Sequence, residues 1–213
     1  PTIADIRRQR EQNERDEQYL RDLRVFCRAA LREMGKDAKF KYFREMVSLD
    51  DYPNYMDVIK YPMHFDEIRF RIDEKKYLTY EQFRDDFVLI RDNAIDANGT
   101  KTPRGRRIVH AANDMLEKLE SHKYRFSKNI GYNLFEKVRR VRDRRSSPAW
   151  QRQFGAEFPD YQIDAGPAGH ADWGQAAGAP QIAVAKMEAH IKKLIEDGSP
   201  AIDASEDISW CVR

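Results

Sequence analysis

Cysteine is scarce. Two occur among 213 residues, Cys27 and Cys211, far apart and in no CxxC spacing. That argues against a disulfide scaffold and a cysteine-rich zinc site, and makes a reducing compartment the expectation. Long apolar runs are missing too: none approaches the length of a bilayer span, so no transmembrane helix is expected. Charge of one sign does not dominate, the net being +2, so no global field selects a partner. The signatures GxxxxGK[ST], GxSxG and HExxH do not occur, nor does a paired-carboxylate pattern with a mechanism behind it. His110, His122, His170 and His190 show no metal-ligand spacing. The expectation is a protein with no enzymatic activity, no cofactor and no metal. No internal repeat is present. The first residue is Pro1 rather than Met and no signal peptide follows, so the chain reads as a fragment of something longer.

What is there is a helical pattern with a block structure of charge. Hydrophobic residues make up 41% and charged residues 35%, too apolar for wholesale disorder. Residues 1–35 mix eight Arg with seven acids, residues 121–152 carry ten Lys/Arg against Glu136 and Asp143, and residues 153–213 turn acidic. Tyr19, Leu23, Phe26, Cys27, Ala30, Leu31 and Met34 form one helical stripe beginning near Glu17, with Gly35 as its stop. The polar stretch Arg7 to Asp16 is expected to fray or to run into solvent. A short helix carries Phe65, Ile68 and Ile72 after Pro62. A third starts at Thr79 with Gln82 completing a capping box, carries Phe83, Phe87, Ile90 and Ala94, and ends at Asn98-Gly99. A fourth follows Pro103 and carries Ile108, Ala112, Met115 and Leu119. No segment of residues 17–125 alternates convincingly as a strand, and the reading is an all-α four-helix bundle.

The stretch 36–64 breaks the usual rule for loops. It is long and aperiodic, yet it holds Phe40, Tyr42, Phe43, Met46, Val47, Leu49, Tyr52, Tyr55, Val58, Ile59, Tyr61 and Met63. A solvated loop would not carry so many large apolar groups. It should fold over the bundle and wall a concave apolar pocket beside a helix end.

Three pieces in order then resemble a known family. Tyr52-Pro53-Asn54-Tyr55 through Lys60-Tyr61-Pro62-Met63 resembles the end of the bromodomain ZA loop, with its P-x-Y-x-x-x-I-x-x-P-M pattern. Asn93-Ala94-Ile95-Asp96-Ala97-Asn98 is similar to the N-A-x-x-Y-N segment of helix B, and Lys41-Tyr42-Phe43 stands where the family has its W-P-F shelf. The non-tryptophan shelf, the spacing from Tyr55 to Asn98 and Arg107-Ile108-Val109-His110 look most like the bromodomains of AAA+ ATPase chromatin proteins. The resemblance implies a left-handed four-helix bromodomain over residues 17–125. A polar extension, 1–16, precedes it, and a basic segment, 126–147, follows. Residues 148–213 complete the chain as a linker and C-terminal helical extension.

It also implies an acetyl-lysine reader for histone tails, nuclear, with no membrane partner. Asn98 would donate to the acetyl oxygen and Tyr55 would hold an ordered water on it. Val47, Tyr52 and Ile108 would line the slot, Ile108 as gatekeeper, over a shelf and floor of Tyr42 and Phe43. Two positions depart from the family. Ala97 stands where it usually has Tyr, which leaves the pocket either wider, and open to bulkier acyl groups such as butyryl, or partly degenerate. His64 stands where it often has Asp, the better helix cap, and a small local stability difference is expected.

On spacing alone, blander readings stand beside these. Asn98 before Gly99 also reads as a helix-terminal turn residue, Tyr55 as a core tyrosine and Ile108 as a core position. The run holding Arg139, Arg140, Arg142, Arg144 and Arg145 is either a solvated helix face or a contact for DNA or the import machinery. A rival reading therefore makes the chain a degenerate bromodomain, a protein-interaction or nucleic-acid-binding scaffold. Late in the chain, Ile182, Met187, Ile191, Leu194 and Ile195 suggest one more amphipathic helix. Trp150, Phe154, Phe158, Trp173 and Trp210 argue that the extension docks on something.

Overall fold

The computed structural model describes residues 2–50 and 53–158, and every regular element among them is helical. Helix α1 spans Ile3–Lys36 and opens on a reciprocal capping box between Thr2 and Asp5. A 3-10 segment, Ala38–Phe43, leads into the long loop, which contains only the single turn α2, Tyr55–Val58. Helix α3 is Phe65–Asp73, and α4 is Tyr80–Asn98 with the Thr79–Gln82 capping box in place. Helix α5 runs Pro103–Ile130 and stops at Gly131, whose φ of 77° is the left-handed conformation that favours glycine. Then come α6, Leu134–Arg145, and α7, Pro148–Phe154.

Helices α1, α3, α4 and α5 bury the stripes expected of them. Phe26 is fully buried and collects aromatic neighbours from three helices: Phe83 of α4 at 6.1 Å, Phe126 of α5 at 5.2 Å and Phe135 of α6 at 5.1 Å between ring centroids. Edge-on pairs of this kind add to the burial of their area.

The structure refines two expectations for the flanks. The polar half of α1 does carry the helix into solvent, with residues 2–8, 10 and 11 exposed, but it is anchored where Asn13 and Asp16 are buried. Trp150 Nε1 donates to Asn13 Oδ1 at 3.3 Å, and Arg144 reaches both oxygens of Asp16, at 2.7 and 3.1 Å. A polar residue reads as solvated from sequence because its partner lies more than a hundred positions away. The basic run is not a solvated linker. Leu134, Phe135, Val138 and Val141 are buried against α1 as a fifth packed helix. Trp150, Phe154 and Phe158 continue this annex, with Trp150 centroids 5.8 Å from Phe154 and 5.7 Å from Phe158. The helix suggested by Ile182 to Ile195, together with Trp173, Trp210 and Cys211, lies outside the described residues.

Candidate functional site

The long loop is held at both ends by polar clamps that its hydrophobic content does not advertise. At its start, Lys118 of α5 donates to Asp37 Oδ2 at 2.7 Å, and the Arg44 guanidinium donates to the Asp37 carbonyl at 3.3 Å. The Asp66 amide of α3 donates to the Arg44 carbonyl at 3.1 Å, drawing the two ends of the loop together. At its end, Asn93 of α4 donates its side-chain amide to the Tyr61 carbonyl at 2.7 Å. Phe40, Phe43, Ile59 and Met63 are buried beneath. A loop pinned this way needs no secondary structure of its own, since side chains take up backbone groups that burial would otherwise orphan.

Between the loop and the C-terminal end of α4 lies a cavity. Tyr42, Phe43, Val47, Tyr55, Ala97 and Asn98, all expected at the site, line it together. The wall also includes Met46, Pro62, Met63, Ile90 and Ala94, with Glu45 at the rim. Asn98 donates one amide hydrogen to the Ala94 carbonyl at 3.0 Å, inside its own helix. A carboxamide carries two such donors and an acceptor, and this bond fixes the plane in which the second is offered. Gly99 follows with φ 61°, ending α4 beside the cavity. The first turn of α5 presses close, since a Cβ on Gly105 would lie 2.7 Å from the Asn98 carbonyl oxygen. Only glycine fits there. The cavity opens to solvent, and its narrow inner part offers about 20 Å³, room for little more than a water.

One sequence expectation lands elsewhere, and one cannot be placed. Ile108 is fully buried in the bundle core and is not among the lining residues. It sits on the α5 stripe with Ala112 and Met115, so packing accounts for it. Tyr52 lies outside the described residues.

Glu45, Met46, Met63, Ile90, Asn93 and Ala94 had no site role from sequence. Ile90 and Ala94 stood on the core stripe of α4, and the cavity is where that stripe runs out. His64 was read only as a weak cap. It is indeed the N-cap of α3, its Nδ1 accepting from the Glu67 amide at 3.3 Å, but it is also buried and lines the cavity. Burial, reinforced by the Arg71 guanidinium, lowers its pKa to about 4, so the ring is neutral near pH 7. At the rim, partial burial and the neighbouring Asp66 raise the pKa of Glu45.

The five arginines are all engaged by carboxylates. Arg139 reaches Glu81 of α4 with Nε at 3.0 Å, Arg140 pairs with Glu136 at 3.1 Å, and Arg142 with Asp143 at 2.8 Å. Arg144 holds Asp16, and Arg145 holds Glu17 at 2.8 Å while lying under Trp150 and Phe158. Arg145 has no exposed surface left to offer a phosphate. Among the described residues no group of three or more His, Cys, Asp or Glu is placed to hold a metal, and no helix is long and apolar enough to cross a membrane.

A helical bundle with a long clamped loop closing a small apolar cavity over an asparagine at a helix end defines a class. Residues 27–109 match the bromodomain family model, and this part of the chain is a bromodomain. Its similarity extends to particular proteins. It is 35% identical over 111 residues to ATPase family AAA domain-containing protein 2 of Mus musculus, covering 52% of this chain and 10% of that protein. It is 32% identical over 109 residues to bromodomain and PHD finger-containing protein 3 of Mus musculus, covering 51% of this chain and 9% of that one. A third relative is the SWR1 complex bromodomain subunit bdf1 of Schizosaccharomyces pombe, 30% identical over 104 residues, with 46% of this chain and 17% of that protein covered. The likeness thus spans a small part of each relative.

Proposed function

We propose that this protein reads acetylated lysine on histone tails in the nucleus, as a binding module that performs no chemistry. The observation that carries the reading is the convergence of Asn98, Tyr55, Tyr42, Phe43 and Val47 on one cavity. An unmodified lysine would bring an ammonium into that apolar slot, where its desolvation is uncompensated; acetylation removes the charge and leaves a neutral amide with one good acceptor. Asn98 supplies a donor held at the helix end, and Tyr55, which also lines the cavity, would hold an ordered water on the same oxygen. A single hydrogen bond of this kind discriminates by about 1–3 kcal/mol, so the isolated module binds weakly and gains strength from flanking contacts or from several modules acting together.

The test is a titration of labelled protein with acetylated and unmodified histone-tail peptides, followed by amide NMR shifts. The acetylated peptide should shift residues around Tyr55 and Asn98, and Asn98→Ala should weaken binding roughly tenfold or more. Equal response to both peptides would sink the reading and leave the scaffold alternative standing.

Ala97 sits in the cavity wall, and a tyrosine there would narrow the slot. Ala97→Tyr is expected to weaken a butyryl-lysine peptide more than its acetyl counterpart. Proportionate loss for both would show that the small residue does not set the acyl size.

A further inference from the structure

The turn that follows Asn98 carries charge in an unusual arrangement. From Ala97 to Asn113 there is no Asp or Glu, while Lys101, Arg104, Arg106 and Arg107 crowd into the loop and the start of α5. The first turn of α5 contains no acidic residue. Cations at a helix N-terminus oppose the helix dipole and are unfavourable there. Among the described residues no carboxylate compensates three of them: Arg106 donates to the carbonyl oxygens of Thr100 and Lys101 at 3.2 and 3.1 Å, and neither it, Lys101 nor Arg107 meets an acidic side chain there. Lys101, Arg106 and Arg107 are exposed. A local rule broken without an internal partner marks a place where an external one fits.

The position of this cluster identifies the partner. Gly105 lets the basic turn close on Asn98 and Gly99, for its Cβ would stand 2.5 Å from the Gly99 carbonyl oxygen. The cations therefore sit on the turn that leaves the cavity at Asn98 and form a basic lip beside it, next to the lining residues rather than among them. The long loop is mixed in sign, with Glu45 in the cavity wall and exposed Asp50 and Asp57 alongside Lys60. A peptide held by its acylated lysine spans about 3.5 Å per residue, so its near neighbours reach the basic lip.

We propose that the ligand carries an anionic residue, Glu, Asp or phosphoserine, within two or three positions of the acylated lysine, and that Lys101 and Arg107 select it. This rests on the acetyl-lysine reading and adds the sequence context. Duplex DNA shares the charge but not the acyl group that places a peptide at this lip, and the peptide is the favoured partner.

The experiment uses the full chain and peptides of one sequence, acetylated or not, with Ser, Glu or phosphoserine two residues to either side of the lysine. Phosphoserine on one side should tighten binding of the acetylated peptide roughly tenfold over serine at low salt, as two or three charge contacts of ordinary strength supply. The advantage should shrink as salt screens it, and the ratio should fall to near one in Lys101→Ser/Arg107→Ser, with an unchanged thermal melt showing that the variant folds. Equal affinity for acetylated serine and phosphoserine peptides overturns the inference and leaves the reader intact. Loss of acetyl dependence throughout overturns both. Binding of a duplex DNA that ignores acetylation and is lost in the same variant, without any phosphoserine preference, overturns it in favour of nucleic acid.

Discussion

Asp86→Ala is expected to destabilise the protein by about 3–5 kcal/mol, the range for removing one partner of a buried ion pair. Asp86 has no exposed surface, and Arg71 reaches both its oxygens, at 3.2 and 3.1 Å. Arg71 also donates to Glu67 at 3.0 Å, and the Tyr77 hydroxyl donates to Asp86. Burial raises the pKa of the Asp86 carboxyl to about 6, against the opposing pull of Arg71. Four side chains thus tie α3 to α4 and to the short connection between them through charge in a dry place. Removing Asp86 takes from the buried Arg71 guanidinium the carboxylate that it meets with two hydrogen bonds, and from the Tyr77 hydroxyl its acceptor. Since whole domains are stable by roughly 5–15 kcal/mol, urea unfolding of the variant should show a much lower midpoint. Replacing the set together, Glu67→Gln, Arg71→Met, Tyr77→Phe and Asp86→Leu, should cost far less, because no buried charge is stranded. If the single variant unfolds within about 1 kcal/mol of the native protein, below the usual range for such a loss, the network is not buried as described.

Acid should weaken the fold through His64. Its folded-state pKa is lowered to about 4 by burial and by Arg71, whereas in the unfolded chain it is about 6.5. Between those values the unfolded chain holds a proton that the folded one does not, so stability rises with pH through this window. The contribution is fully present above about pH 6.5 and is lost progressively as pH falls towards 4, amounting to about 3 kcal/mol. His64→Asn keeps an N-cap acceptor for the Glu67 amide and removes the titration. Denaturant unfolding from pH 7.5 to 4.5 should show a shallower loss in the variant than in the native protein. Identical slopes would mean that the imidazole is protonated as readily in the folded state as outside it.

The four bundle helices were legible because each writes its burial as a period: Phe83, Phe87, Ile90 and Ala94 in α4, and Ile108, Ala112 and Met115 in α5. The cavity was legible from the apolar content of the long loop, and its lining residues from resemblance; most of them meet there, while Ile108, assigned to the site by alignment alone, is buried in the core. What stayed hidden is polar. Arg71, Asp86, Asn93, Asn13 and Asp16 are buried because of partners far along the chain, and local pattern assigns such residues to solvent. The apolar stripe of α6, Leu134, Val138 and Val141, was present but lay between arginines, so composition outweighed period.

The 34-residue first helix bears on how the protein can be cut. Its N-terminal half is gripped by residues from α6 and α7, and its C-terminal half supplies Phe26 and Met34 to the bundle. The stretch that matches the family begins at residue 27, inside that helix, and stops within α5. Family boundaries and folding boundaries therefore differ. A piece trimmed to the match would sever α1 from Leu20, Leu23 and Phe26 and present raw core to water, and silence from such a piece in a binding assay would report on the trimming rather than on the pocket.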